Sequence, residues 1–319
     1  MFKITPLSYL KYRLKYRFAP YLNLTKPVDI SLELSSACNM ACQYCYHSDK
    51  STLPFKQGFM TLDTAMLIIA DAADLGVNSL KMNFRGESTL NPRFYEITKF
   101  AKKHAHGSTF IDRITNSNFK FSKHNNDIFE GLCNQTKVKV SFDSFIPEVL
   151  EKQRNGSNHE QIINNIDLFY NHPSRKNTEL VIQAVRTNLN KNEDIYSEAK
   201  RRWPEATVSI RDMVSGRVEK DLSEYENKKR DFDNRQSCLQ AHNRLIFDWQ
   251  GKAQICCPDT ASKLSIGNIH DNSIYQIFNS EKAKKIRKSL KDKSAFNSNP
   301  CKTCSSHESF KGYSHPWGS

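Results

Sequence analysis

Between residues 28 and 212 the chain alternates about six times between short strand-like runs and longer helical stretches, and this alternation limits its fold more than any other feature. Residues 28–34 carry apolar and polar side chains in turn, the period of a strand. Thr61 then caps a helix that Gly76 stops. Further strands are expected over 79–84, 111–114, 137–142, 179–185 and 207–211, with helices over 91–104, 126–133, 159–170 and 192–202 between them. Strands separated by helices pair in parallel through right-handed crossovers, which makes this an α/β chain. The alternation by itself fits an open doubly wound sheet or a barrel. In either, ligands gather beyond the C-terminal strand ends, so the residues just after each strand are the ones to read for chemistry.

After the first strand stand Cys38, Cys42 and Cys45, spaced C-x3-C-x2-C, with Tyr44 before the last. Soft thiolates on a short loop suit an iron–sulfur cluster or zinc. Three thiolates leave one iron of a cubane open, whereas structural zinc takes four ligands and would need a remote group such as His47. The start of the chain has neither a compact apolar segment nor a small-residue cleavage site, which argues against secretion. Nine cysteines in such a chain point to metal chemistry before disulfides, and to a reducing cytoplasm. No apolar run reaches the roughly 18 residues of a membrane span. The 319 residues suffice for one sizeable core and a smaller appended unit.

The C-x3-C-x-aromatic-C run resembles the signature of the radical S-adenosylmethionine (radical SAM) superfamily. The resemblance implies a partial (β/α)6 TIM-like barrel over about residues 28–215. It also implies a [4Fe–4S] cluster on Cys38, Cys42 and Cys45 whose open iron takes the amino and carboxylate groups of SAM. In that family an electron from the cluster, fed by a donor such as flavodoxin or ferredoxin, cleaves SAM to a 5′-deoxyadenosyl radical, which takes a hydrogen atom from the substrate.

Three further places fit that scheme. After the second strand, Gly86 allows close approach to the backbone and Glu87 offers a carboxylate. This segment is similar to the family's G-G-E-P motif, which implies a hold on the SAM ammonium, but Arg85 replaces the first glycine and Ser88 the proline. Ser141 and Asp143, two residues apart at a later strand end, share one face and suit ribose hydroxyls. Arg154 resembles the family arginine that faces the SAM carboxylate. Outside that resemblance, serine and aspartate after a strand are ordinary turn or cap residues. Asn116 and Gln183 are further pocket candidates near strand ends.

The last third holds Cys238, Cys256, Cys257, Cys301 and Cys304 around a hairpin expected at Gln250 and Gly251, followed by a helix expected over 273–290. This layout resembles the twitch form of the SPASM extension of radical SAM enzymes, over about residues 236–310. The resemblance implies a second, auxiliary [4Fe–4S] cluster on Cys238, Cys256, Cys301 and Cys304. Zinc on the same four cysteines fits the ligand count equally well. Cys257 and Cys133 are then expected to be packed residues.

The net charge of +13 favours an anionic partner. It concentrates in a basic, aromatic N-terminal arm over 1–27, with Lys11, Arg13, Lys15 and Arg17, and in the lysine-rich segment over 282–293. Such an arm suits a nucleotide or nucleic-acid substrate, or it is a helix whose tyrosines pack on the core. A charged linker is expected over 216–235 and a tail over 311–319. His104, His106, His124, His242 and His307 show no ligand spacing. The expected activity is therefore radical SAM chemistry that oxidises or rearranges a small-molecule or nucleotide-linked substrate, as twitch enzymes that dehydrogenate a secondary alcohol do. A peptide-modifying maturase is the alternative within the superfamily. A non-catalytic iron–sulfur or zinc module is the alternative outside it.

Overall fold

The computed structural model describes residues 6–104, 110–115, 126–213, 225, 237–302 and 304. In chain order its elements are α1 (Pro6–Phe18), β1 (Asp29–Leu32), β2 (Ala41–Cys42), α2 (Leu62–Asp74), β3 (Ser79–Lys81), α3 (Phe94–His104) and β4 (Phe110–Thr115). There follow α4 (Asn126–Cys133), β5 (Lys137–Ser141), α5 (Pro147–Gln153), β6 (Arg154–Asn155), α6 (His159–Tyr170), β7 (Glu179–Arg186), α7 (Ile195–Arg202) and β8 (Thr207–Asp212). The last are α8 (Leu239–Asn243), β9 (Arg244–Phe247), β10 (Lys252–Gln254), β11 (Ser265–Asn268), α9 (Ile274–Phe278) and α10 (Glu281–Lys291). They form two compact units that interleave along the chain. One takes residues 1–37, 55–113 and 236–302, the other 38–54, 114–235 and 303–319.

In the first unit β9, β1 and β3 run parallel, with β4 parallel beyond β3. The hairpin of β9 and β10 adds antiparallel strands on the other side, ending with β11. Every residue of β1 is buried, as expected of a parallel strand covered on both faces. One of them is an acid, Asp29, answered by Lys81 of β3 and Arg244 of β9, each at 3.0 Å. Burial alone would raise its pKa, but those two cations lower it to about 2. The Tyr12 hydroxyl also donates to Asp29, at 3.1 Å, and Asn243 donates to the Tyr16 carbonyl at 2.8 Å. The described part of the basic arm is thus largely a helix that turns Tyr12 onto the buried Asp29 and leaves Tyr16 half-buried, while Leu7, Leu10, Leu14, Phe18 and, beyond the helix, Tyr21 are exposed.

Helix α2 begins where Thr61 accepts the Thr64 amide and ends at Gly76, whose φ of +66° suits glycine. Between them Ala65, Ile68, Ile69 and Ala72 form one buried stripe, with each isoleucine contributing about 1.5–3 kcal/mol on burial. The single helix expected over 273–290 is two. Asn279 ends α9 after a capping box of Ser273 and Gln276, and Ser280 starts α10 by accepting the Ala283 amide. A serine inside an apolar-periodic run, read as a helix interior, is here a second N-cap.

In the second unit β5, β7 and β8 form a parallel sheet, with Ser141 opposite Gln183. Its core centres on Phe142 and Trp203, edge to face at 6.1 Å, and the Trp203 indole donates to Asp167 at 2.8 Å. A separate two-stranded pair joins β2 to β6, with Ala41 opposite Asn155 and Cys42 opposite Arg154. Asn116, His106, His124, His307, the tail and the charged linker lie outside the described residues, Tyr225 excepted. That tyrosine is buried against Met213, with Tyr44, Val185 and Leu189 beside it.

Candidate active site

The opening cysteines sit on a tightly wound segment. The Cys45 amide donates to the Cys42 carbonyl at 3.0 Å, and Ser48 donates to Cys45 at 2.9 Å. Gln43 donates to Gln153 at 3.0 Å, and Lys50 to the Cys38 carbonyl at 3.1 Å. All three thiols are half-buried, and none of the nine cysteines is in a disulfide. Among the described residues no three Cys, His, Asp or Glu side chains are gathered into a preformed metal cage. The fit to iron therefore rests on donor chemistry, which is that of three soft, partly accessible thiols on one short loop. Burial pushes the Cys42 thiol up to about 11, against the pull of the neighbouring Arg154, so metal binding must displace its proton.

The structure brings Asp143 and Arg154 to each other. Asp143 is fully buried, and its carboxylate takes Arg154 at 2.8 and 2.9 Å. The Val185 amide donates to it at 2.8 Å, and the Tyr44 hydroxyl donates to it as well. From that anchor Arg154 places Nη1 3.8 Å from the Cys42 sulfur, with its guanidinium 5.9 Å over the Tyr44 ring. Burial disfavours the Arg154 charge, but Asp143, Tyr44 and Cys42 more than offset this and hold its pKa well above the ordinary range. Asn190 closes the network by donating to the carbonyls of Asp143 at 2.7 Å and Val185 at 2.9 Å. Ser141 is buried beside the half-buried Gln183 of β7. Sequence reading gave Asp143 and Arg154 separate ligand roles and missed the Tyr44 hydroxyl. The only advance signal was a tyrosine at a position where any aromatic would serve packing.

In the first unit the loop after β3 packs against the segment that leads to Cys38. A Cβ on Gly86 would lie 2.3 Å from the Ala37 carbonyl oxygen and 2.5 Å from that of Ser35. The close approach expected of a ligand is thus already made by the chain's own backbone. Glu87 is buried, its amide donates to Ala37 at 2.9 Å, and its Oε1 accepts the Thr89 amide and hydroxyl at 3.0 and 2.7 Å. Arg85, which stands in place of a glycine, is buried. Its Nε and Nη2 donate to Glu33 at 2.7 and 2.6 Å, its Nη1 donates to the Thr260 carbonyl at 2.8 Å, and it stacks on Phe55 at 4.2 Å. The substitution therefore leaves the loop ordered by joining the end of β1 to the segment that follows Cys256 and Cys257. Glu33, the second of two acids in the alternating run over 28–34, was the sequence signal for such a partner.

Among the C-terminal cysteines, Cys238 immediately precedes α8, Cys256 follows β10, and both are half-buried, as are Cys301 and Cys304. The Gln254 amide donates to the Cys256 carbonyl at 3.0 Å, and Asp259 accepts the amides of Lys263 and Leu264 at 3.0 and 2.6 Å. The segment after Cys256 is thus shaped by side chains, those of Gln254 and Asp259, that bond to its backbone. Cys133 is buried, as expected of a packed residue.

The chain matches the Radical SAM superfamily over residues 32–185 and the SPASM iron–sulfur cluster-binding domain over residues 238–305. Solved structures share the fold at low identity. BtrN in complex with AdoMet and 2-DOIA aligns with a TM-score of 0.59 and 18% identity, over 87% of this chain and 92% of that one. Native anSMEcpe with bound AdoMet aligns with a TM-score of 0.63 and 16% identity, over 81% and 82%. Streptococcus suis SuiB bound to S-adenosylmethionine aligns with a TM-score of 0.64 and 13% identity, over 88% and 73%. Among curated proteins none matches. The chain belongs to the radical SAM superfamily and carries a C-terminal SPASM domain. Its fold is the partial TIM barrel of those enzymes, and its cofactors are the SAM-binding [4Fe–4S] cluster and auxiliary iron–sulfur binding. Among the described residues no helix is long and apolar enough to cross a membrane.

Proposed function

We propose that this enzyme abstracts a hydrogen atom from a small molecule, or from a nucleotide-linked one, and oxidises or rearranges the product radical. The observation that carries this reading is the match in extent with BtrN, over 87% of this chain and 92% of that one, a structure in complex with AdoMet and 2-DOIA. When bound, the cluster supplies the electron that cleaves SAM. The residues around it have distinct tasks. Cys38, Cys42 and Cys45 hold iron, and Arg154, anchored by Asp143, favours the thiolate of Cys42 by its charge. Gly86 and Glu87 frame the SAM ammonium, and Ser141 with Asp143 borders the ribose. Cys238, Cys256, Cys301 and Cys304 hold one auxiliary cluster able to accept an electron from an oxidised substrate radical. A flavodoxin- or ferredoxin-type donor in a reducing cytoplasm completes the scheme.

A second reading, peptide modification, draws on anSMEcpe with bound Cp18Cys peptide and SuiB bound to precursor peptide SuiA, which share the fold. The test is anaerobic reconstitution, followed by SAM and a strong reductant. The 5′-deoxyadenosine that forms without substrate should rise when the true substrate is added from fractionated metabolites, with deuterium moving from substrate into 5′-deoxyadenosine. Stimulation by peptide fractions alone would favour the second reading, and no SAM cleavage under any condition would sink both.

A further inference from the structure

Away from the site residues, the first unit holds a cavity of about 390 Å³ between the segment after α1, α8, the end of α9, and α10. Among the described residues its wall carries Lys284, Arg287, Lys288, Lys291 and His242, and no carboxylate. Segment 19–25 leads into β1 and His242 stands just before β9, so the cavity lies at the N-terminal ends of two neighbouring parallel strands. Glu87 follows the C-terminal end of β3, the opposite edge of the same sheet.

The cations here are incompletely answered by the protein. Arg287 donates one Nη2 bond to the Phe278 carbonyl at 2.6 Å and lies 4.3 Å over the Phe278 ring. Its Nη1 is buried and has no hydrogen-bond partner among the described residues. Lys284 pairs with Glu281, and Asp292 feels the charge of Lys288, but both acids are exposed and neither lines the cavity. His242 reports the resulting field. Burial first, then Lys291 and Arg287, lower its pKa to about 4. A buried guanidinium nitrogen without a partner costs free energy, which an anion in the cavity would recover. Several converging cations match a doubly charged phosphate better than a single carboxylate, and the guanidinium fork suits phosphate oxygens. The volume is in the range of small-molecule sites.

We propose that this cavity binds the phosphate group of a soluble phosphorylated small molecule, at a site distinct from the SAM pocket. Arg287 Nη1 and the ammonium groups of Lys288 and Lys291 donate to the phosphate oxygens. The proposal does not rest on the substrate reading above, because it concerns the other edge of the sheet and is read out by binding alone.

The test is equilibrium dialysis of the anaerobically purified holoenzyme against radiolabelled inorganic phosphate and ribose 5-phosphate, with vesicles containing phosphatidylglycerol as a separate arm. One saturable site at millimolar concentration or below is expected. The double variant Lys288→Gln/Lys291→Gln should weaken it by about tenfold or more, whereas Lys282→Gln/Lys285→Gln, which removes the same charge from α10 outside the cavity, should change it less than about twofold. Arg287→Gln should weaken it similarly. The two lysines are exposed, so their variant keeps the test valid even if Arg287→Gln disturbs folding. Equal losses in the cavity and control variants, or no saturable binding of either soluble phosphate, would overturn the proposal. Binding to vesicles without binding of the soluble phosphates would overturn it too, in favour of a lipid headgroup.

Discussion

Arg154 and Arg287 both lie over aromatic rings, at 5.9 Å from Tyr44 and 4.3 Å from Phe278, yet the chain treats their charges in opposite ways. Arg154 is met by a fully buried aspartate, and its pKa rises well above the ordinary value although burial works against it. Arg287 has no carboxylate beside it in its cavity among the described residues, and burial lowers its pKa. Where the chain supplies its own anion, the arginine becomes part of the scaffold, here one that orders the cysteine loop. Where it supplies none, the cation is left to a ligand. Arg85, paired with Glu33, belongs with Arg154.

The largest test breaks the first region outright. Changing Cys38, Cys42 and Cys45 together to Ala should abolish 5′-deoxyadenosine formation while the protein still holds iron at its C-terminal site. SAM cleavage at the original rate, followed by chromatography, would sink the assignment of that loop. A companion measurement counts metal. Holoenzyme should carry about eight irons, falling toward about four in Cys301→Ser/Cys304→Ser, and stoichiometric zinc would instead mark a structural metal.

Next in size is the anchor of Arg154. Asp143→Asn leaves a buried guanidinium without its counter-charge and should destabilise the fold by about 3–5 kcal/mol in urea denaturation. It should also lower iron retention, since Cys42 loses its positioned neighbour. By contrast, Arg287→Gln removes a cation that has no buried acid to abandon, and should shift stability by no more than about 1 kcal/mol. Similar losses in the two variants would erase the distinction between the regions.

The last test is a pH dependence in the second region. His242 has a folded pKa of about 4, below its ordinary value, because of burial and the charges of Lys291 and Arg287. The unfolded chain therefore binds the proton more readily in that window. The contribution of His242 to stability is full above about pH 6.5 and is lost as pH falls toward 4. His242→Gln should flatten this part of the stability curve, and saturating phosphate should flatten it too. A curve unchanged by the substitution would show that the imidazole does not sense the cavity.

Several elements were legible from local pattern alone. Helices at Asn126–Cys133 and His159–Tyr170 fall where the apolar period places them, and Gly251, at φ +80°, turns the expected hairpin. The pair β2 and β6 was not legible, because two-residue strands carry no period. Nor was the break at Ser280, where a polar residue within a helical period became a cap because the chain turns there.

By itself the sequence determined the class of this protein, since thiol spacing and strand–helix alternation are properties of neighbours along the chain. It also placed Ser141 and Asp143 at a strand end, because strand direction follows from the alternation, whereas the strand expected over 79–84 stops at Lys81 and leaves Glu87 in the loop beyond it. What those side chains face was decided only in three dimensions. Asp143 meets Arg154 and Tyr44, Arg85 meets Glu33 and Thr260, and His242 feels the charges of Lys291 and Arg287 of α10. Each of these meetings except that of Asp143 with Arg154 joins residues tens of positions apart. A charge reads the same in sequence whether its partner is an acid, a carbonyl or nothing, and only packing fixes which of these lies within hydrogen-bond reach.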